Sequence, residues 1–297
     1  MGSPSVPFKL VFVTGCMRSG TSLLHRLIST SPDTGERLAP ARLIVDILQL
    51  YIRYGGEDSA FAADYLQSPD ALLGETRRFL YARLHDAWLH SGKPQCLVLR
   101  TVEVAPMLPL VAQLLPEAKF AISVREPKDT ITSILTVGAK QRLLGRRTLA
   151  SAGSVARLCK TYNRAYLPAL RMHRTNGQFR DRAVFVRYED AVADPAAALA
   201  KVWQSFGLQP GDGILTADPA KRASLRELLT HRYWRSYRTE LSEAPVSARS
   251  IGTYRSALTA SDIWNVNWRC RILRRAFGYA EHWVGDLRDR QASYEVR

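Results

Sequence analysis

Residues 8–24 read Phe8-Lys9-Leu10-Val11-Phe12-Val13-Thr14, then Gly15-Cys16-Met17-Arg18-Ser19-Gly20, then Thr21-Ser22-Leu23-Leu24. The first seven form a β-rich run of the kind found in buried parallel strands. Two glycines bracket the next six residues, so the chain turns there. From Ser22 to Thr30, Leu23, Leu24, Leu27 and Ile28 recur at helical spacing, and Ser31-Pro32 closes the run. Strand, glycine-bracketed loop and helix make the opening unit of an α/β protein. In open parallel sheets, ligands sit at the carboxyl ends of the strands, where this loop falls.

The rest of the chain repeats the alternation. Residues 41–54 and 71–90 read as helices, with breakers at Gly55-Gly56 and Ser68-Pro69 between them. Cys96–Leu99, Lys119–Val124 and Ala183–Val186 read as further strands. Helical patterns cover 106–115, 129–137, 154–173 (interrupted by Pro168) and 195–206. The tail beyond residue 245 has breakers, basic residues and little clean periodicity. The fold class this predicts is α/β, a P-loop-like three-layer arrangement with a central parallel sheet flanked by helices. No repeat or linker divides the 297 residues, so 1–297 is expected to be one domain.

Charge is the unusual feature of the composition. Lys plus Arg number 42 against 27 Asp plus Glu, a net charge of +15. Such a field attracts anions: nucleic acid, an acidic membrane surface, a polyanionic acceptor or a multiply phosphorylated small molecule. Cys16, Cys96, Cys159 and Cys270 are scattered, without metal-ligand spacing, so free thiols and no metal are expected. No stretch reaches the ~20 apolar residues of a membrane span, and none resembles a signal peptide. A soluble cytoplasmic protein is the expectation.

The loop at 15–22 has the chemistry of an anion site. It opens a helix, so free N–H groups and the positive end of the helix dipole converge on it. Arg18 adds a charged donor fork, and Thr21 and Ser22 add hydroxyls. The spacing G-x-x-x-x-G-x-[ST] is that of a Walker A loop, but Thr21 stands where the lysine would be. A nucleotide kinase would lack that lysine, and an ordinary strand–turn–helix corner could share the pattern. A second segment, Val124-Arg125-Glu126-Pro127-Lys128-Asp129, ends a strand and begins a helix on which Ser133 lies two turns along.

Met17-Arg18-Ser19-Gly20-Thr21-Ser22-Leu23-Leu24 resembles the donor loop of the sulfotransferases that use 3′-phosphoadenosine-5′-phosphosulfate. The arginine at 18 is similar to the tyrosylprotein and bacterial branch. The resemblance implies that Arg18, Ser19, Gly20, Thr21 and Ser22 hold the 5′-phosphosulfate. It also implies that Arg18 is catalytic, stabilising charge on the leaving phosphate. Arg125 and Ser133 resemble that family's 3′-phosphate motif, and Val186-Arg187-Tyr188-Glu189-Asp190 its next strand end, with Tyr188 near the adenosine 3′-phosphate. Arg249-Ser250-Ile251-Gly252-Thr253-Tyr254-Arg255 resembles the basic stretch that closes over the nucleotide, making Arg249 a further 3′-phosphate candidate.

The activity so implied is in-line transfer of a sulfuryl group to a hydroxyl of a small molecule, a sugar or a peptide tyrosine. The product is 3′-phosphoadenosine 5′-phosphate, and no metal takes part. A general base is required. Val102 stands where the cytosolic branch has a histidine, whereas Gly35-Glu36-Arg37 resembles the glutamate stretch of the tyrosylprotein branch. Glu36 is therefore the expected base, with Glu103 and His25 as alternatives. A nucleotide-dependent kinase and a basic nucleic-acid-binding protein are the rival readings. The acceptor and the oligomeric state are not legible.

Overall fold

The computed structural model describes residues 6–56, 59–62, 64–66, 68–145, 154–211 and 248–279. Strands β1 (Lys9–Gly15), β2 (Cys96–Arg100), β3 (Lys119–Val124) and β4 (Ala183–Arg187) form one sheet in the order β2-β1-β3-β4. Every pairing is parallel. The helices are α1 (Thr21–Ile28), α2 (Arg42–Tyr54), α3 (Ser59–Ala62), α4 (Pro69–His90), α5 (Leu108–Leu114), α6 (Pro127–Leu143) and α7 (Val155–Thr175). They continue with α8 (Gly177–Arg182), α9 (Tyr188–Ala193), α10 (Pro195–Phe206), α11 (Tyr254–Ala257), α12 (Ala260–Arg269) and α13 (Arg271–Ala276).

The three layers follow from the period-two alternation of the strands. Leu10 and Phe12 of β1 join Leu97, Leu99, Phe120 and Ile122 on one face, packed against Ile44, Leu80, Val111 and Tyr162. Val11 and Val13 point the other way, with Val98, Ala121 and Val184, onto Leu24, Leu27 and Ile28 of α1 and Trp203 and Phe206 of α10. Both faces are thus covered, which explains why the strands read as apolar runs. Each fully buried aliphatic or aromatic side chain contributes roughly 1.5–3 kcal/mol.

β1 lies inside the sheet, with β2 on one side and β3 on the other. The chain therefore reverses direction across β1, opening a crevice at the carboxyl ends of β1 and β3. The expected α/β class and all four strands are present. The boundaries move modestly: α4 starts at Pro69 under a Ser68 cap, α6 runs from Pro127 to Leu143, and α7 continues through Pro168. The tail differs more. Ile263, Val266, Cys270 and Leu273 are buried at helical spacing along α12 and α13. Exposed Trp264, Trp268 and Ile272 blur that rhythm in the sequence. Among the described residues, no helix is long and apolar enough to cross a membrane.

Candidate active site

The loop after β1 is a tight cradle. Gly15 has φ 146°, and a Cβ there would stand 2.3 Å from the Ser123 carbonyl oxygen of β3. Gly20 has φ 97°, and its Cβ would stand 2.4 Å from the Tyr188 ring. Only glycine fits either position. The two serines stitch the loop to β3: Ser19 Oγ donates to the Ser123 carbonyl at 3.0 Å, and Ser123 Oγ donates to the Ser19 carbonyl at 2.7 Å. Tyr166 of α7 braces the same point, accepting from Cys16 N–H at 3.0 Å and donating to the Ser123 carbonyl at 2.8 Å.

The side chain of Ser19 is thus turned into the fold, and its N–H donates to the Cys16 carbonyl. The amides of Gly20, Thr21 and Ser22 have no acceptor among the described residues. They open α1, whose first N–H groups have no intrahelical partner. Ser22 Oγ accepts from Arg100 at 3.3 Å, and Thr21 is buried.

Arg18 occupies the left-handed region at φ 67°. Its Nε donates to Ser133 Oγ of α6 at 3.2 Å. Arg125, at the end of β3, donates to the Arg18 carbonyl at 3.2 Å and also to the Ser250 carbonyl. Its guanidinium carbon lies 4.8 Å from the centre of the Tyr188 ring. The Tyr188 hydroxyl meets Ser250 Oγ at 2.7 Å. Arg18, Arg125, Ser133 and Tyr188, identified from three separate segments of sequence, are thereby joined in one cluster. Burial, and then the Arg125 charge, push the Arg18 guanidinium below its ordinary value. Arg125 is buried, and its Nε has no hydrogen-bond partner. Arg18 is half-buried beside the buried Arg125, and two adjacent cations of this kind are electrostatically complementary to an anion.

The sequence marked residues 249–255 as a closing stretch, but not what anchors it. Asp129, 1% exposed in the first turn of α6, accepts from the N–H groups of Gly252 and Tyr254 and from Thr253 Oγ1. That holds residues 250–254 against the cluster. The aspartate was visible as part of the segment at 124–129, but its partner 123 residues away was not. Arg249 is exposed on the 3₁₀ turn Ala248–Ser250, and its neighbour Ser250 makes the contacts to Arg125 and Tyr188.

The three base candidates are dispersed. Glu36 is exposed. It lies two residues past Thr34, which bridges to Cys96 at the amino end of β2, and five before Ala41, whose N–H reaches the Arg100 carbonyl at the other end. Glu103 follows the carboxyl end of β2, accepts from Thr101 Oγ1 at 2.8 Å and faces Arg42 at 3.8 Å. His25 is 4% exposed. Burial, then Arg100 and Arg37, push its imidazole down to about 3. Among the described residues, no cluster of His, Cys, Asp or Glu is placed to hold a metal.

Residues 11–212 match the model of the sulfotransferase family. Among solved structures, the sulfotransferase domain of the curacin biosynthetic pathway superposes with a TM-score of 0.60 at 14% identity, covering 93% of this chain and 99% of that one. A mouse sulfotransferase in complex with 3′-phosphoadenosine 5′-phosphate gives a TM-score of 0.50 at 16% identity, covering 93% and 90%. At these identities the structural likeness concerns the fold. No curated protein sequence matches the chain.

Proposed function

This chain belongs to the sulfotransferase family, and from that premise we propose that it moves a sulfuryl group from 3′-phosphoadenosine-5′-phosphosulfate to an acceptor hydroxyl at the crevice of β1 and β3. The observation that carries the choice of donor is the pairing of Arg18 with Arg125. One arginine precedes a helix amino terminus, the other ends the neighbouring strand, and the second donates to the carbonyl of the first. A donor with phosphates on two carbons of one ribose supplies an anion to each.

In this reading the N–H groups of Gly20, Thr21 and Ser22 hold the 5′-phosphosulfate, with Ser19 shaping the loop rather than touching the ligand through its hydroxyl. Arg125, Ser133 and Arg249 bind the 3′-phosphate, and Tyr188 lies beside it. The donor brings an activated sulfur–oxygen bond. The acceptor oxygen attacks sulfur, the bond from sulfur to the 5′-phosphate breaks, and the phosphate leaves with the electron pair. Arg18 neutralises the charge that grows on the phosphate, and its tether to Ser133 holds it in place beforehand. The acceptor proton goes to a carboxylate. The sequence resemblance points to Glu36. The carboxyl-end position of Glu103 makes it the rival, already held by Thr101 and Arg42.

Calorimetric titration tests the donor site. Wild type is expected to bind 3′-phosphoadenosine 5′-phosphate far more tightly than adenosine 5′-phosphate, and Arg125→Ala is expected to erase most of that difference. Equal affinity for the two nucleotides, or turnover of ATP without the sulfate donor, would overturn the proposal.

A further inference from the structure

A second cationic feature lies outside this cluster and shares no residue with it. Helices α7 and α12 flank an open groove of about 840 Å³. On the α7 wall, Lys160, Arg164 and Arg171 are exposed. Their spacing of four and seven residues puts all three on one helix face. None of the three has an ion-pair partner among the described residues. On the α12 wall stand Trp264 and Trp268, 52% and 57% exposed. Their rings are parallel to within 4°, with centroids 6.3 Å apart. Arg271 lies 4.4 Å from the centre of the Trp268 ring. Arg269 also lines the groove, and among the described residues no carboxylate does.

We propose that this groove is a binding site for an anionic oligosaccharide. The flat faces of sugar rings carry C–H groups that lie against indoles, while carboxylate or sulfate substituents meet the opposite row of cations. The charge spacing favours this ligand over other polyanions. Lys160 and Arg164 are about 6 Å apart along the helix axis, but Arg164 and Arg171 are about 10 Å apart. Leu167 and Pro168 fill that longer interval. An uneven row with an apolar break suits a chain charged on only some of its units. A nucleic-acid strand, by contrast, carries one charge on every residue. A bilayer presents a broad flat surface rather than a chain that enters a groove. The inference rests on the groove alone and stands whatever the acceptor of the reaction proves to be.

Binding is measured by tryptophan fluorescence and calorimetry on the full chain, with 3′-phosphoadenosine 5′-phosphate saturating the donor loop. The probes are an oligosaccharide of alternating glucuronate and N-acetylglucosamine units, a neutral oligosaccharide of equal length, a single-stranded oligonucleotide and vesicles rich in anionic lipid. The alternating glucuronate chain is expected to bind, more weakly as salt rises, and the neutral chain to bind at least tenfold less well. Trp264→Ala with Trp268→Ala is expected to weaken it by about tenfold or more, the effect of losing buried aromatic anchors. Lys160→Glu with Arg164→Glu is expected to abolish it, while binding of the nucleotide is unchanged in both variants. All four side chains are on the surface, and circular dichroism checks that the variants fold. Undiminished binding after loss of both tryptophans would reduce the groove to unspecific charge and overturn the proposal. So would preference for the oligonucleotide or the vesicles, or displacement of the oligosaccharide by the nucleotide.

Discussion

Arg18 keeps a backbone conformation that its own Cβ disfavours, φ 67°. Backbone and side chain can therefore be separated by mutation. Arg18→Gly and Arg18→Ala should both lose most of kcat, because each removes the charge proposed to face the leaving phosphate. In urea, however, the glycine variant should be more stable than the alanine variant by about 1 kcal/mol, since only alanine retains the left-handed penalty. Equal kcat in either variant and wild type would confine Arg18 to shaping the loop. Glu36→Gln and Glu103→Gln form the second residue-scale test. The variant that removes the base should lower kcat by roughly 10²–10⁴ with donor affinity intact; if both stay active, neither carboxylate takes the proton. Arg18, Arg125 and Ser133 were legible in the sequence because each stands at a fixed offset from a strand end. Ser250 was not, since its part depends on a carbonyl and a hydroxyl brought in from 125 residues away.

At the scale of elements, α6 joins the arginine cluster to the strap at 250–254. Asp129→Ala removes three hydrogen bonds to that strap and touches no proposed ligand atom. It should weaken 3′-phosphoadenosine 5′-phosphate by about 2 kcal/mol, the range for hydrogen bonds to a charged group, with the helical circular dichroism spectrum unchanged. Unaltered affinity would show that the strap does not order the site. Helix α1 carries a different signature. His25 falls from an ordinary 6.5 to about 3, with burial the largest cause. Between those values the unfolded chain takes up a proton that the folded chain refuses. Stability from this group is complete above about 6.5 and drains as the pH falls toward 3. His25→Leu should accordingly lose less urea resistance than wild type between pH 7 and pH 5; parallel losses would assign acid sensitivity to other groups. The strands and most helices were legible because both sheet faces are covered and the helix breakers are strong. α12 and α13 were not, because exposed tryptophans interrupt their apolar rhythm.

For the molecule as a whole, a net charge of +15 sets how anions arrive. The association rate of 3′-phosphoadenosine 5′-phosphate should fall steeply between low and high ionic strength, while its dissociation changes less, because screening acts on the long-range field. Stopped-flow measurement at several salt concentrations decides this; a salt-independent association rate would remove steering from the account. The contacts of Arg125 have a consequence for biosynthesis. It bonds at once to the carbonyls of Arg18 and Ser250, and Ser250 is made 125 residues later. At ~5–20 residues per second, a growing chain waits roughly 6–25 s between making the arginine and making its last partner. The four-stranded sheet is fully encoded by residue 187, yet the proposed nucleotide cradle is still open on one side. A ribosome-bound chain of this protein is therefore expected to acquire its sheet first and its grip on the nucleotide last.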